Sequence, residues 1–136
     1  MSSDAIVKTV LTFYPDAEAI YLFGSYGTKD ERPDSDVDIA LLLSYDRAKE
    51  NKNIALSKCR HTLEERLKKA VDLANLLLAA TVFQFQIVTT GRLVYSGDVQ
   101  AVQVFEMLTM SQYQRLNEER KDILQEFFRT KRAYPV

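Results

Sequence analysis

The stretch Leu22-Phe23-Gly24-Ser25-Tyr26-Gly27, separated by a polar loop from Asp36-Val37-Asp38, decides the fold of this 136-residue chain. The apolar run 19–23 is short, contains Ile, Tyr and Phe, and stops at Gly24, which predicts a buried strand that ends in a sharp turn. A second apolar run, 36–43, predicts a second buried strand. The sequence therefore predicts a strand, a turn and another strand that starts with two carboxylates.

Gly24 and Ser25 predict a phosphate-binding turn. Glycine has no Cβ and tolerates a positive φ, so the chain at Gly24 can pass close to a bound triphosphate. The hydroxyl group of Ser25 and the neighbouring backbone N–H groups are then suitable donors to phosphate oxygens. This turn is not a Walker A loop, because the Gly-Lys-Ser/Thr ending is missing.

Asp36 and Asp38 lie two residues apart in the predicted second strand, so their side chains point to the same face. Two adjacent carboxylates repel each other unless a hard cation neutralises them, and Mg²⁺ prefers carboxylate oxygens together with substrate phosphates. The pair therefore predicts a magnesium site. The alternative is an Asp-rich turn between two strands.

The remaining polar candidates carry weaker indications of function. Lys29 and Arg32 in the loop 26–35 either meet the triphosphate or are solvated loop charges, and the sequence favours neither interpretation. Asp46 and Asp98 each begin a helix-like stretch and are interpreted as caps or first-turn acids. The only histidine, His61, lies in a charged helical stretch and is interpreted as a surface or partly buried residue.

The composition excludes several classes of protein. With 18 basic and 19 acidic side chains the net charge is −1, so direct nucleic-acid binding is not expected. No apolar run approaches the ~20 residues of a membrane span and the first residues lack a signal-peptide pattern, so we expect no membrane contact and a cytoplasmic location. The single cysteine, Cys59, has no disulfide or metal-ligand companion and is expected to pack in a helix.

The rest of the chain predicts the element order α-β-β-α-β-α-β, followed by a helical segment. Helices are predicted at 5–14, 46–69 and 79–90, and a strand at 92–95. We expect a single domain, 1–136, with a core at about 5–97 and a C-terminal helical segment at about 98–130. The predicted fold class is α/β (α+β), with a small mixed β-sheet and flanking helices.

The predicted C-terminal segment is longer than a small sheet requires. As one helix it would span ~50 Å, so part of it must bend, break or project. Apolar residues reappear beyond the polar interval 112–121, namely Ile123, Leu124, Phe127 and Phe128. We expect the chain to fold back at about 112–117, and docking on a partner or a second copy is the alternative. The basic residues at the end are expected to complement the helix dipole, namely Arg129, Lys131 and Arg132.

Gly24-Ser25, ten further residues and Asp36-x-Asp38 together resemble the signature of the DNA polymerase β-like nucleotidyltransferase superfamily. This pattern arises by chance in a chain of this length at a rate on the order of 10⁻³. The superfamily uses a third carboxylate on a neighbouring strand. Asp72 is the best candidate, because an unpaired Asp inside the apolar run 69–76 would be costly to bury. The alternative is that Asp72 caps a helix or a strand.

The resemblance implies a polymerase β-like fold and Mg²⁺-dependent nucleotidyl transfer with two metal ions and ATP as co-substrate. In the superfamily, the residues that match Asp36 and Asp38 hold both metals. The residue that matches Asp72 completes the site of the nucleophile-activating metal. The residue that matches Ser25, in the turn after Gly24, contacts the outer phosphates.

From about Ala5 to Arg129 the chain also resembles the MntA antitoxins of HEPN/MNT toxin–antitoxin pairs. The similarity includes the Val-Asp-Leu stretch at 71–73, the helix with Phe83, and the Gly-x-Leu-Val-Tyr-x-Gly-Asp stretch at 91–98. It implies an antitoxin that transfers AMP from ATP to a tyrosine of a partner HEPN ribonuclease toxin and inactivates it, within a hetero-oligomer. The alternatives are a small-molecule nucleotidyltransferase, for example one that modifies aminoglycosides, and an antitoxin that acts by binding alone.

Overall fold

The computed structural model describes residues 2–130 of the chain. Within this range the helices are α1 (Ser2–Phe13), α2 (Tyr45–Glu50), α3 (Lys58–Leu67), α4 (Thr81–Thr90) and α5 (Val99–Thr130). The strands are β1 (Ala19–Phe23), β2 (Val37–Leu42), β3 (Val71–Asn75) and β4 (Arg92–Ser96). Short 3₁₀ helices occur at Ile54–Leu56 and Leu76–Leu78.

The four strands form one mixed sheet in the order β3-β2-β1-β4. β1 is antiparallel to both β2 and β4, whereas β2 and β3 are parallel. A parallel pair requires a long crossover connection, and here the chain between β2 and β3 forms α2 and α3. The predicted small mixed sheet with flanking helices is therefore confirmed.

Alternation along the strands gives the sheet two apolar faces, each covered by helices. Side chains of one face pack with residues of α1 and α3, among them Ile20, Ile39, Leu41, Ile6, Val10 and Leu63. Side chains of the other face pack with residues of α4 and α5, among them Tyr21, Ala40, Leu42, Ile87, Val102 and Phe105. The hydroxyl group of Tyr21 also donates to Glu106 Oε2 at 2.6 Å, which ties α5 to the sheet.

The single helix predicted at 46–69 is wrong, because the chain there forms α2, a 3₁₀ turn and α3. Asn51 ends α2, and its side chain donates to the carbonyl oxygen of Arg47 at 2.8 Å. The side chain of Asn75, on β3, donates to the carbonyl oxygen of Ala48 at 3.0 Å and to that of Asn51 at 3.2 Å. Ser57 then caps α3 by accepting a hydrogen bond from the backbone N–H of Arg60.

The predicted fold-back of the C-terminal segment is also wrong, because α5 runs as one helix from Val99 to Thr130. Its first half covers the sheet, where Val102, Phe105 and Thr109 are buried. Residues 117–129 are all exposed. Two of the basic residues predicted to complement the helix dipole, Lys131 and Arg132, lie outside the described residues.

The remaining predicted elements agree with the structure to within a few residues. The strand predicted at 19–23 has those bounds, and the strand predicted at 36–43 covers Val37–Leu42. Cys59 is buried in α3, as predicted, whereas His61 on the same helix is exposed. In the part of the chain that is described, none of the helices has the length and apolar character needed to cross a membrane.

Candidate functional site

The candidate carboxylates lie at one end of the sheet, where β2 begins. Asp38 is the second residue of β2 and pairs with Phe23 of β1 on one side and with Asp72 of β3 on the other. Paired residues of neighbouring strands project from the same face, so the side chains of Asp38 and Asp72 lie on the face covered farther along by α4 and α5. Asp36 lies one residue before β2. The structure therefore brings Asp72 beside Asp38, although 34 positions (72 − 38) separate them in the sequence.

Asp38 is half-buried, whereas Asp36 and Asp72 are exposed. The prediction that Asp72 is buried in an apolar run is therefore wrong. Its neighbours Val71 and Leu73 point into the core, but Asp72 points to the opposite face of β3, where it is exposed. Exposure lowers the cost of the charge and leaves Asp72 accessible to a ligand.

The electrostatic surroundings of Asp38 oppose its ionisation. Burial raises the pKa of the Asp38 carboxyl group above its usual range, and the nearby carboxylates of Asp72 and Asp36 raise this pKa further. A cation at this end of the sheet would relieve that repulsion.

The donor set suits Mg²⁺, which binds proteins through one or two carboxylates and completes its shell with water and substrate phosphates. Within residues 2–130, no three His, Cys, Asp or Glu side chains are drawn together as a ready-made metal site. Carboxylates that repel one another need not converge before a cation arrives, so the chemistry of the three aspartates fits Mg²⁺ without such a preformed group.

Gly24 forms the turn after β1 and touches Asp38. Its φ of +74° lies in the left-handed region that favours glycine. A Cβ built on Gly24 would overlap Oδ2 of Asp38 and lie 3.3 Å from its Cγ. The turn and the carboxylate are therefore in direct contact, and only a residue without a side chain permits this approach.

The hydroxyl group of Ser25 connects the turn to the start of β2. It donates to Oγ of Ser35 at 3.2 Å, and Ser35 Oγ accepts a hydrogen bond from the backbone N–H of Arg32 at 2.8 Å. Ser35 directly precedes Asp36, so these bonds link the two halves of the sequence signature. Ser35 was not among the predicted site residues, and its position next to Asp36 is the one signal that could have indicated it.

Two basic residues outside the loop hold it in place, and both were missed. Arg92, at the start of β4, donates to the carbonyl oxygen of Tyr26 at 2.6 Å and to that of Gly24 at 3.3 Å. Lys69, just before β3, forms a 3.3 Å ion pair with Glu31 and contacts the carbonyl groups of residues 32 and 33. No local pattern marks these contacts, because they depend on strand pairing.

The loop residues Lys29 and Arg32 are exposed. Whether they contact phosphate stays a prediction. Asp46 lies in the first turn of α2, as the sequence predicted. Asp98 caps α5, because its Oδ1 accepts a hydrogen bond from the backbone N–H of Ala101 at 3.0 Å. Burial raises the pKa of the Cys59 thiol to about 11, so this cysteine is a poor nucleophile.

Comparison with known proteins gives a consistent result. The family described as polymerase β nucleotidyltransferase matches residues 6–100. The protein adenylyltransferase MntA of Shewanella oneidensis is 36% identical over 124 residues, which cover 91% of this chain and 86% of that protein.

Solved structures of toxin–antitoxin complexes contain chains with the same fold. In a complex with AMP-PNP, the matching chain is 33% identical with a TM-score of 0.76, over 94% of this chain and 99% of that chain. In a complex of the tri-AMPylated HEPN toxin of S. oneidensis with its MNT antitoxin, the matching chain is 34% identical with a TM-score of 0.70. That match covers 93% of this chain and 96% of the other.

Proposed function

Because this chain belongs to the polymerase β nucleotidyltransferase family, and within it to the family of MntA, we propose that it is an antitoxin with protein adenylyltransferase activity. It transfers AMP from ATP to a tyrosine of a partner HEPN ribonuclease toxin and so inactivates the toxin. The proposal includes a hetero-oligomer with that toxin, a cytoplasmic location, and no direct binding of nucleic acid or membrane.

One observation carries the proposal. Gly24 touches the carboxylate of Asp38, and Asp38 pairs with Asp72 across the parallel strands β2 and β3. A turn suited to phosphate and carboxylates suited to Mg²⁺ thus meet at one point. In the reaction, the tyrosine oxygen forms a bond to the α-phosphorus of ATP and the bond to pyrophosphate breaks. The tyrosine proton passes to a carboxylate of the site or to water.

The chain's residues have distinct parts in this reaction. Asp36, Asp38 and Asp72 would hold two Mg²⁺ ions, which neutralise phosphate charge and lower the pKa of the attacking hydroxyl group. Gly24 lets the backbone approach the nucleotide, and Ser25 offers its hydroxyl group and N–H to the outer phosphates. Because Asp72 is exposed, it faces the side from which a tyrosine on a second protein can enter.

Two alternatives remain distinct from this proposal. A small-molecule nucleotidyltransferase would have the same carboxylates, but the curated relative with 36% identity is named a protein adenylyltransferase. A binding-only antitoxin would need none of them, and this chain retains Asp36, Asp38, Asp72 and the Gly24 turn. The first observation favours transfer to a protein, and the second favours catalysis over binding alone.

The experiment is intact-mass spectrometry of the purified toxin after incubation with this protein, ATP and Mg²⁺. We expect AMP adducts on the toxin, none after chelation of the metal with EDTA, and none with the Asp38→Asn variant. Asp46→Asn is a matched control, because Asp46 is an exposed aspartate of α2, after the far end of β2.

The alternatives are distinguished by this experiment together with an assay of the toxin's ribonuclease activity and an assay of AMP transfer to an aminoglycoside. Wild-type adduct yield with Asp38→Asn would contradict the assignment of the site. Neutralisation of the ribonuclease without any adduct would identify a binding-only antitoxin. No adduct on the toxin, together with transfer of AMP to an aminoglycoside, would identify the small-molecule enzyme.

A further inference from the structure

The geometry points to Arg92 as a positioning residue that holds the turn 24–27 in the conformation that receives the triphosphate; this inference rests on the proposed function. Arg92 is the first residue of β4 and lies opposite Leu22 in the antiparallel pair with β1. Its Nη2 donates to the carbonyl oxygen of Tyr26 at 2.6 Å, and its Nη1 to that of Gly24 at 3.3 Å. One side chain therefore binds two carbonyl groups of the same turn.

These two hydrogen bonds decide which way the N–H groups of the turn face. In a trans peptide the C=O and N–H bonds point in opposite directions. Because the carbonyl group of Gly24 points to Arg92, the N–H of Ser25 points away from the guanidinium group. The same holds for the carbonyl group of Tyr26 and the N–H of Gly27. The turn therefore presents these donors on the side opposite Arg92.

The N–H of Gly27 shows what kind of acceptor these donors bind. It donates to Oε1 of Glu31 at 2.8 Å, and Glu31 also pairs with Lys69. A carboxylate of the chain is thus bound by a donor of the turn, on the side that faces away from Arg92. Phosphate oxygens are acceptors of the same charge, and backbone N–H groups arranged in a turn are a common way to bind them.

The junction between α4 and β4, at Gly91, places Arg92 next to the turn 24–27. The N–H of Gly91 donates to the carbonyl oxygen of Ile87 at 2.8 Å, which ends α4. A Cβ on Gly91 would lie 2.5 Å from that oxygen, so only glycine permits this close exit from the helix. The strand then starts directly at Arg92. The planar guanidinium group offers two terminal nitrogens in a fixed geometry, whereas a lysine would offer one point charge.

The test measures AMP-PNP binding to the antitoxin, residues 1–136, without toxin, by calorimetry at constant Mg²⁺ concentration. We expect Arg92→Gln to weaken binding by about 10- to 100-fold, the scale of losing hydrogen bonds from a charged donor. Arg92→Lys should restore only part of the affinity. Arg47→Gln is the matched control and should bind like the wild type, because Arg47 also makes two polar side-chain contacts, with Asp16 and Glu50, but in α2.

Steady-state kinetics with the toxin supply a readout that a purely structural role would not change. The donors of the turn bind the outer phosphates, which gain charge as pyrophosphate leaves, so Arg92→Gln should raise KM for ATP and lower kcat. The KM for the toxin should change by less than about twofold.

Several outcomes would overturn the inference. One is wild-type AMP-PNP affinity in folded Arg92→Gln. Another is full recovery of affinity in Arg92→Lys, because a point charge on the phosphates would then suffice. If Arg92→Gln fails to fold, Arg92→Lys decides: reduced affinity with an unchanged melting temperature supports the inference, and wild-type affinity overturns it. A failure of the proposed function is recognised separately, because AMP-PNP would then bind as described while the toxin gains no AMP.

Discussion

At the scale of single residues, Asp38 links the stability of the protein to its proposed chemistry. Its pKa is raised by burial and by the carboxylates of Asp72 and Asp36, so the folded protein holds this proton more tightly than the unfolded chain. Stability therefore falls as the pH rises from the unfolded pKa through the folded pKa. Above that window, ionised Asp38 destabilises the protein until a cation neutralises it.

Asp38→Asn should therefore raise the melting temperature in metal-free buffer at pH 7.5. We expect a rise of about 1–3 °C, kept small because water screens this half-exposed site. The gain should shrink as the pH falls through the folded pKa towards the usual aspartate pKa of 3.8, because protonation removes the charge from the folded wild-type side chain. Differential scanning calorimetry between pH 4 and pH 8 measures this, and a lower melting temperature of Asp38→Asn at pH 7.5 would contradict it.

The two glycines of the turn offer a matched pair of variants. Both have a positive φ, +74° at Gly24 and +78° at Gly27, so alanine costs backbone strain of roughly 1–2 kcal/mol at either position. Only at Gly24 does a Cβ also overlap Asp38, whereas a Cβ at Gly27 meets nothing within 4 Å. The two variants therefore separate strain from contact with the carboxylate.

Gly24→Ala should lose at least about 100-fold in transfer rate, because it displaces both the phosphate donors and Asp38. Gly27→Ala should melt at a lower temperature than the wild type but keep its transfer rate within about tenfold. Adduct formation is followed by mass spectrometry and melting by calorimetry. Equal losses of rate in the two variants would show that contact with Asp38 does not matter.

At the scale of elements, α5 has two halves with different surroundings. The first half buries Val102, Phe105 and Thr109 and is tied to β1 by the hydrogen bond between Tyr21 and Glu106. The second half, residues 117–129, is exposed although it contains large apolar side chains. The stability of the fold should therefore depend on the first half alone.

Deletion of residues 122–136 should leave the melting temperature within about 2 °C of the wild type, because no side chain of residues 117–129 is buried. AMP-PNP affinity should also be unchanged. A fall of more than about 5 °C would show that the segment supports the domain. The alternative role, docking on a partner or a second copy, stays a prediction, and co-purification of the truncated protein with the toxin measures it.

At the scale of the whole molecule, the balance of charge predicts that this protein does not bind nucleic acids directly. The chain has 18 basic and 19 acidic side chains, and three of the acidic ones, Asp36, Asp38 and Asp72, lie at one end of the sheet. A phosphate backbone without bound Mg²⁺ would meet repulsion there. A toxin tyrosine would meet no such repulsion, because its side chain has no charge near neutral pH.

We therefore expect no measurable binding to a duplex of DNA or RNA at physiological salt. The dissociation constant should be weaker than about 10⁻⁴ M, the weak end of the range for non-specific binders. Fluorescence anisotropy with a labelled duplex at low and physiological salt measures this. Salt-dependent binding in the micromolar range would contradict the prediction and indicate a basic surface contributed by the fold.

The sequence by itself determined the features that depend on neighbours along the chain. Strand β1, the turn at Gly24 and the aspartates at the start of β2 follow from local apolar pattern, backbone freedom and spacing. The mixed sheet with flanking helices followed from the element order together with the resemblance to the polymerase β-like superfamily. The break between α2 and α3 was not predictable from local patterns. One of its determinants is the side chain of Asn75, which donates hydrogen bonds to the carbonyl groups of Ala48 and Asn51, more than twenty positions earlier.

Only the tertiary structure decided which distant groups meet. The parallel register of β2 and β3 puts Asp72 beside Asp38, and the pairing of β4 with β1 brings Arg92 to the turn. It also decided that Asp72 is exposed and that α5 continues as one helix through the exposed residues 117–129. Local propensity describes one stretch of chain, whereas register, exposure and helix continuation are set by the free energy of packing whole elements together. Contacts across the sheet therefore depend on the tertiary structure and not on local sequence.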